Sequence, residues 1–154
     1  MKTCFIPLSH GKWAQVSLED SARVAEFKWT YGEHNGAGYA YKTGGLRLHR
    51  FLCGAKPGEE VDHVNGDPLD NRRENLRLCS REENSRNTRK WKSETHSRFK
   101  GVSRISGSKK WRAYISSGRK QLSLGSFDSE EAAAKAYDHK ARELFGKFAR
   151  PNFS

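Results

Sequence analysis

The sequence predicts an α+β protein: a β-rich N-terminal region carrying a strand–loop–strand–helix core, then a three-stranded antiparallel sheet packed on one helix. Three observations point there. Short runs of β-branched and aromatic residues are separated by clusters of Gly, Asn, Asp and Ser, the pattern of short strands joined by turns. One segment, Glu130 to Phe145, repeats apolar residues at three- and four-residue steps, the pattern of an amphipathic helix. The 154 residues are 34% hydrophobic and 31% charged, which leaves too little apolar material for one large core.

Composition also excludes function classes. No apolar run approaches the ~18–20 residues needed to cross a bilayer, so no membrane partner is expected. Met1 to Leu8 shows no basic stretch followed by an apolar one, so a secretory signal is excluded. Cys4, Cys53 and Cys79 are odd in number and far apart, with no Cys-x-x-Cys pair. A disulfide scaffold and a structural zinc are therefore not expected, and the chain reads as a cytoplasmic protein that is not secreted. Its net charge of +11 favours an anionic partner, nucleic acid above all. Residues 96–154 carry most of it, with 13 basic against 5 acidic side chains. Between Glu94 and Asp128 there is no acidic residue but there are eight basic ones, whereas an ordinary surface mixes both signs.

Residues 1–56 read as short strands and turns. Trp13 to Leu18 partly alternates, Gly36, Gly38, Gly44 and Gly45 punctuate the rest, and Leu18 to Phe27 fits a short helix. Leu46, Leu48 and Phe51 read as a strand running into a turn. Val61-Asp62-His63 ends a further strand, Asn65-Gly66-Asp67-Pro68 is a loop of turn formers, and Leu76-Arg77-Leu78 is the returning strand. Ser80-Arg81-Glu82-Glu83 is a capping box that opens a helix of roughly three turns, ending at Trp91. Polar residues 93–97 form a linker between a domain at 1–92, with its core at 61–92, and a second at 98–154. In the second, Gly101 to Arg104, Trp111 to Ile115 and Gln121 to Leu124 are strands, with Gly107 and Gly118 in the turns. Asp128 or Ser129 caps the long helix and Gly146 ends it.

One constellation carries chemistry. Asp62 and His63 stand together at a strand end, followed by Asn75 and, on the capped helix, Asn84. Phosphodiester hydrolysis needs a base, and neutral imidazole suits that role near pH 7. It needs a hard cation, for which Asp and Asn oxygens are suitable ligands. It also needs a group that fixes the imidazole tautomer, which an Asn carbonyl can do. Neighbours on a regular strand point to opposite faces, so Asp62 and His63 share a site only where the strand bends or ends.

The run from Val61 through Asp62-His63, Asn71, Asn75-Leu76-Arg77 to Glu83-Asn84 resembles the motif of HNH endonucleases, with the phage and intron homing type matching best. The resemblance implies a ββα-metal core in which His63 is the general base and Asp62 and Asn84 are metal ligands. It implies that Asn75 orients the histidine and that Asn71 serves loop structure. Mg²⁺ is the implied cofactor, Mn²⁺ its substitute, with no organic cofactor. The third motif position is often His, and Asn stands there in the homing subgroup. Leu48-His49-Arg50 resembles a segment common before that core, although the residues themselves give His49 no role. His10, His34, His96 and His139 have no ligand-spaced neighbours and read as surface or packing residues.

A second series resembles the Apetala2/ethylene-response DNA-binding domain over nearly all of residues 97–153. It runs from Ser97-Arg98-Phe99-Lys100-Gly101-Val102 and Trp111-Arg112-Ala113-Tyr114-Ile115 through Leu124-Gly125-Ser126-Phe127 to Pro151-Asn152-Phe153. That family lays its three-stranded sheet in the DNA major groove, with the helix behind. Arg104, Arg112, Tyr114, Arg119, Lys120 and Ser123 are the implied contacts, while Trp111 reads as core. On the preceding helix, Arg81, Arg86, Arg89 and Lys90 are placed to contact phosphates. Together these readings imply a monomeric, metal-dependent endonuclease acting on double-stranded DNA, in the host cytoplasm if phage-encoded. A second reading is a sequence-specific DNA-binding regulator with an inactive nuclease core, and a third is a protein that binds or cuts RNA.

Overall fold

The computed structural model describes residues 2–87, 97–118 and 120–153. The chain is α+β and divides into two compact units, Met1–Asn84 and Ser85–Ser154.

In the first unit, β1 (Thr3–Pro7) and β2 (Trp13–Ser17) pair antiparallel, with Thr3 opposite Ser17 and Pro7 opposite Trp13. The β2 alternation points Ala14 and Val16 inward, where both are fully buried. A turn of 3-10 helix leads into α1 (Ser21–Ala25). Next comes a hairpin of β3 (Trp29–His34) and β4 (Ala37–Lys42). Its turn, Asn35-Gly36, has φ of 51° and 74°, the two positive values that a two-residue hairpin loop demands and that Asn-Gly accepts best.

The segment expected as a strand through Leu46, Leu48 and Phe51 is instead a helix, α2 (Leu48–Cys53). Leu48 and Leu52, one helical turn apart, both bury into the core. Gly54 ends the helix at φ +61°, its N–H directed at the Arg50 and Phe51 carbonyls, a left-handed cap that a β-carbon would disfavour. Six residues are too few for a helical period to separate from an alternating one.

β5 (Glu60–His63) and β7 (Leu76–Cys79) pair antiparallel as expected, Asp62 opposite Arg77 and His63 opposite Leu76. Between them, the two-residue β6 (Asp70–Asn71) leaves this hairpin and pairs parallel with β2, Gln15 beside Asp70 and Val16 beside Asn71. α3 (Arg81–Arg86) opens on the predicted capping box. The Glu83 N–H donates to Ser80 Oγ at 3.2 Å, and the Ser80 N–H donates to the Glu83 carboxylate at 2.8 Å. The predicted continuation to Trp91 and linker residues 93–96 lie outside the described residues.

In the second unit, β8 (Val102–Arg104), β9 (Trp111–Ser117) and β10 (Lys120–Phe127) form an antiparallel sheet with β9 in the middle. β10 runs three residues beyond the predicted strand because a bulge between Ser123 and Gly125 absorbs a register shift. α4 (Glu130–Phe145) keeps its predicted bounds, with the Ser129 side chain accepting from the Ala132 N–H and Gly146 as C-cap. Ala113 and Ile115 of β9 are buried, as are Ala133, Ala134, Tyr137 and Ala141 of α4. Asp138, also buried, accepts from the Asn152 N–H, the Asn152 side chain and the Phe153 N–H, which ties the C-terminal segment to the helix.

Candidate active site

The site grows from the end of β5. Pleating sends successive side chains to opposite sides, so Glu60 and Asp62 share one face while Val61 and His63 share the other. On the first face, the Asp62 carboxylate accepts from Arg77 Nε at 2.8 Å, and Asn84 Nδ2 of α3 donates to Glu60 at 2.5 Å. Asp62 and Asn84 thus fall on one side of β5 and His63 on the other; because His63 is the last residue of β5, a site shared by all three lies around the end of the strand. Glu60 is an acid that the sequence reading overlooked, since only its register with Asp62 marks it.

On the second face, His63 is buried and its Nε2 lies 3.5 Å from Asn71 Oδ1, at the outer limit of a hydrogen bond. His49 of α2, equally buried, meets the His63 ring edge-to-face at 5.0 Å, and Tyr39 of β4 meets His49 at 5.6 Å. Burial is the main influence on both imidazoles and pushes both below their ordinary value. At His63, the Asn71 oxygen and the charges of Asp62, Asp67 and Asp70 partly offset it. At His49, the positive charges of His63, Arg47 and Arg50 add to it, and its pKa falls to about 3.

Asn75 is occupied elsewhere. Its carbonyl accepts from the Asn65 N–H at 2.9 Å, and its amide donates to Asn65 Oδ1 and the Asp70 carbonyl at 3.0 and 2.7 Å. Asn65 in turn donates to Asp70, which Arg72 holds through two bonds of 2.8 and 2.7 Å. Beyond the loop, Ser17 Oγ accepts from the Arg73 N–H, and Arg73 forks onto Asp20. The 64–75 segment is thereby cross-braced. The side chain facing the imidazole is that of Asn71, expected as a loop residue, while Asn75, expected beside the imidazole, braces the loop. Both sit in a loop whose path sequence spacing does not reveal.

Among the described residues, no three or more His, Cys, Asp or Glu side chains are grouped as a metal centre. Asp62 and Asn84 could offer a hard cation a carboxylate and a carboxamide oxygen, the ligand types that Mg²⁺ and Mn²⁺ accept, on a side where Arg77 now pairs with Asp62. The cysteines are free thiols, and burial holds Cys79 up at about 11.

In the second unit, the exposed Arg112 lies on the sheet face opposite the helix, with Tyr114 beside it on that face. Ser123, directly across from Tyr114, joins them. Arg104 and Lys120 do not. They pair with Trp111 and Ser117, whose side chains alternate to the other face, and the Arg104 guanidinium lies over the Trp111 ring. Arg86 of α3 stacks on Phe145 at 4.6 Å. Arg89, Lys90 and Arg119 lie outside the described residues.

Burying His49 has a measurable consequence. Below its ordinary value of 6.5 the unfolded chain takes up a proton that the folded one refuses down to about 3. Stability is therefore complete above pH 6.5 and falls as pH drops, by about 1.4 kcal/mol per unit, with His63 acting in the same sense. Urea unfolding at pH 7.5 and 5.5 should reveal the loss, and His49→Asn should flatten most of it. A midpoint equal at both pH values in the parent chain would mean that His49 is not buried as a neutral ring.

Comparison with known proteins adds independent findings. The HNH endonuclease family profile matches residues 49–86, and that of the AP2 domain matches residues 97–147. An uncharacterized HNH endonuclease of Acanthamoeba polyphaga mimivirus is 35% identical over 148 residues, which is 92% of this chain and 75% of that protein. Protein 3.8 of Escherichia phage T7 is 40% identical over 93 residues, 60% of this chain and 75% of that one.

Proposed function

The chain belongs to the HNH endonuclease family, and from that premise we propose that this DNA endonuclease is a metal-dependent enzyme of the phage and intron homing type. The observation that carries the reading is the buried His63 imidazole at the end of β5, facing Asn71 across Nε2. With Asn71 accepting from Nε2–H, the lone pair sits on Nδ1, and a ring whose pKa burial lowers keeps that lone pair at neutral pH. Nδ1 takes a proton from water as its oxygen attacks phosphorus, the P–O3′ bond breaks, and the 3′-oxygen takes a proton from solvent, giving a 5′-phosphate and a 3′-hydroxyl. Asp62 and Asn84 would hold a divalent cation, Mg²⁺ or Mn²⁺, which supplies charge neutralisation at the phosphate and the leaving 3′-oxygen.

The AP2 domain implies DNA binding, and the basic surplus of residues 96–154 supplies the long-range attraction. We assign placement on the target to that domain and cutting to residues 1–92. One core makes one cut per visit, so a monomer nicks. Its place of action on this reading is the cytoplasm, that of the host if the chain is phage-encoded. No helix among the described residues is long and apolar enough to cross a membrane.

The test is nicking of a supercoiled plasmid by the full-length protein, with and without Mg²⁺. Relaxation that requires the cation supports the reading. Tight binding with no relaxation at any Mg²⁺ or Mn²⁺ concentration would replace it with a DNA-binding regulator.

The outer sheet face supports a further expectation. Arg112→Ala and Tyr114→Ala should relax sequence preference, by about 1–3 kcal/mol for a lost base-reading pair. Lys109→Ala, in the turn before β9, should weaken all sites alike. Selection from a randomised duplex library compares them, and identical selected sequences from all three variants would remove this face from base reading.

A further inference from the structure

We propose that Arg47, held by Tyr39 and Tyr41 of the β3–β4 hairpin, is a clamp for a backbone phosphate of the DNA strand being cut, joined to His63 through the Tyr39 and His49 rings. The inference rests on the nuclease reading and adds to it a substrate contact on the N-terminal hairpin, remote in sequence from the basic sheet.

The hairpin register puts Tyr41 opposite Thr30 and Tyr39 opposite Gly32, so both rings project from one face. The other face carries Trp29 and Ala40 into the core. Gly32 makes room for the arrangement, because a β-carbon there would stand 3.1 Å from the Tyr41 ring. Over these rings lies the Arg47 guanidinium, 4.7 Å from the Tyr39 centroid and 5.6 Å from that of Tyr41, with Nε donating to Tyr41 Oη at 3.2 Å. Tyr39 then contacts His49, and His49 contacts His63. An unbroken series of ring contacts joins the cation to the imidazole.

Neighbouring arginines are spent on structure. Arg72 and Arg73 grip Asp70 and Asp20, Arg77 grips Asp62, and Arg50 caps three carbonyls of the α2–β5 loop. Arg47 has no carboxylate within ion-pair reach among the described residues. The two rings lie beside its guanidinium and Tyr41 occupies Nε, which leaves the Nη groups as donors. Together they form a fixed two-pronged donor matched to a two-oxygen anion such as a phosphodiester. Because stacking and one hydrogen bond hold it in place, little side-chain freedom is lost when the anion arrives. The ring series from Arg47 through Tyr39 and His49 to His63 points to a phosphate of the cut strand as that anion.

The test uses full-length protein and a short fluorescent duplex in EDTA, with binding followed across a salt series. One phosphate contact contributes about 0.9 to the slope of log K against log salt, so Arg47→Ala should flatten the slope by about that amount. Under cutting conditions its kcat/KM should fall about tenfold, mostly through KM, as for a contact made equally in ground and transition states. Arg47→Lys keeps the charge without the planar stack and should restore the slope but only part of kcat/KM. Lys2→Ala, a cation on the same unit outside the hairpin, should change neither. If Arg47→Ala fails to fold, Tyr41→Phe, which removes only the hydroxyl holding Nε, should raise KM several-fold with kcat unchanged.

An unchanged slope in Arg47→Ala with normal KM overturns the proposal while leaving the nuclease reading intact. So does an equal loss in Lys2→Ala, or relief of the Arg47 effect by inorganic phosphate at matched ionic strength, which would mark a small-anion site. A parent chain that never cuts, yet loses slope on Arg47→Ala, would overturn the nuclease reading and support the clamp.

Discussion

Replacing His63 by alanine is expected to lower the rate of DNA cleavage by about 10²- to 10⁴-fold while duplex affinity stays within about twofold. The rate falls because, in the proposed mechanism, the imidazole is the proton acceptor for the attacking water. Affinity survives because His63 is buried and contributes no surface charge, whereas the proposed binding rests on the basic sheet and the arginines. The cavity left among His49, Asn71 and Leu76 makes a fold control necessary, so His63→Asn should accompany the alanine variant. Single-turnover cleavage and equilibrium binding on one duplex decide the matter. Cleavage at the parent rate would remove His63 from the chemistry, and a parallel loss of rate and affinity would recast it as a residue of fold or binding.

The second large effect is expected at Asp62. Asp62→Asn should abolish cation-dependent cutting, whereas Asn84→Ala should leave slower cutting that needs more Mg²⁺. Asp62→Ala is the poorer test. The Asp62 and Arg77 side chains are 6% and 14% exposed, and deleting one partner of a buried pair costs about 3–5 kcal/mol by stranding the other charge. The asparagine keeps an acceptor for Arg77 while removing the anion. Cleavage titrated with Mg²⁺, alongside a urea midpoint for each variant, separates loss of cation from loss of fold. If Asp62→Asn and Asn84→Ala both cut normally at low Mg²⁺, the cation is held elsewhere.

The elements readable in the sequence were those whose signals are local. α4 kept its bounds because four turns of three- and four-residue spacing sit between a serine cap and a glycine. The Ser80–Glu83 box likewise specifies its own hydrogen bonds. α2 was misread because six residues flanked by Leu46 satisfy either period, and tertiary burial of Leu48 and Leu52 decides the outcome. The motif residues Asp62 and His63 were found by type and spacing, but the division of labour between Asn71 and Asn75 was not. It follows from how the 64–75 loop folds back onto β2, which involves residues more than fifty positions away. His49 and Tyr39 share that difficulty: each becomes a neighbour of His63, directly or through one ring, only once a hairpin and a helix have packed.

The parallel pairing of β2 with β6 bears on how this catalytic motif can be moved or shortened. Asn71 reaches His63 from a two-residue strand whose register is set by Gln15 and Val16, and whose exit is pinned by Ser17 and Asp20 through Arg73. The motif from Val61 to Asn84 is therefore not a portable cassette, although its sequence is continuous. Its rigidity is lent by the first twenty residues, and a graft or trimmed version beginning at α2 would carry every motif residue yet leave the loop unanchored. In a population of descendants, insertions in the loops between β2 and β5 should be tolerated where they spare this register, the buried residues of the β3–β4 hairpin and α2, and the Arg47 contacts. A single-residue shift in β2 should silence the motif without touching it.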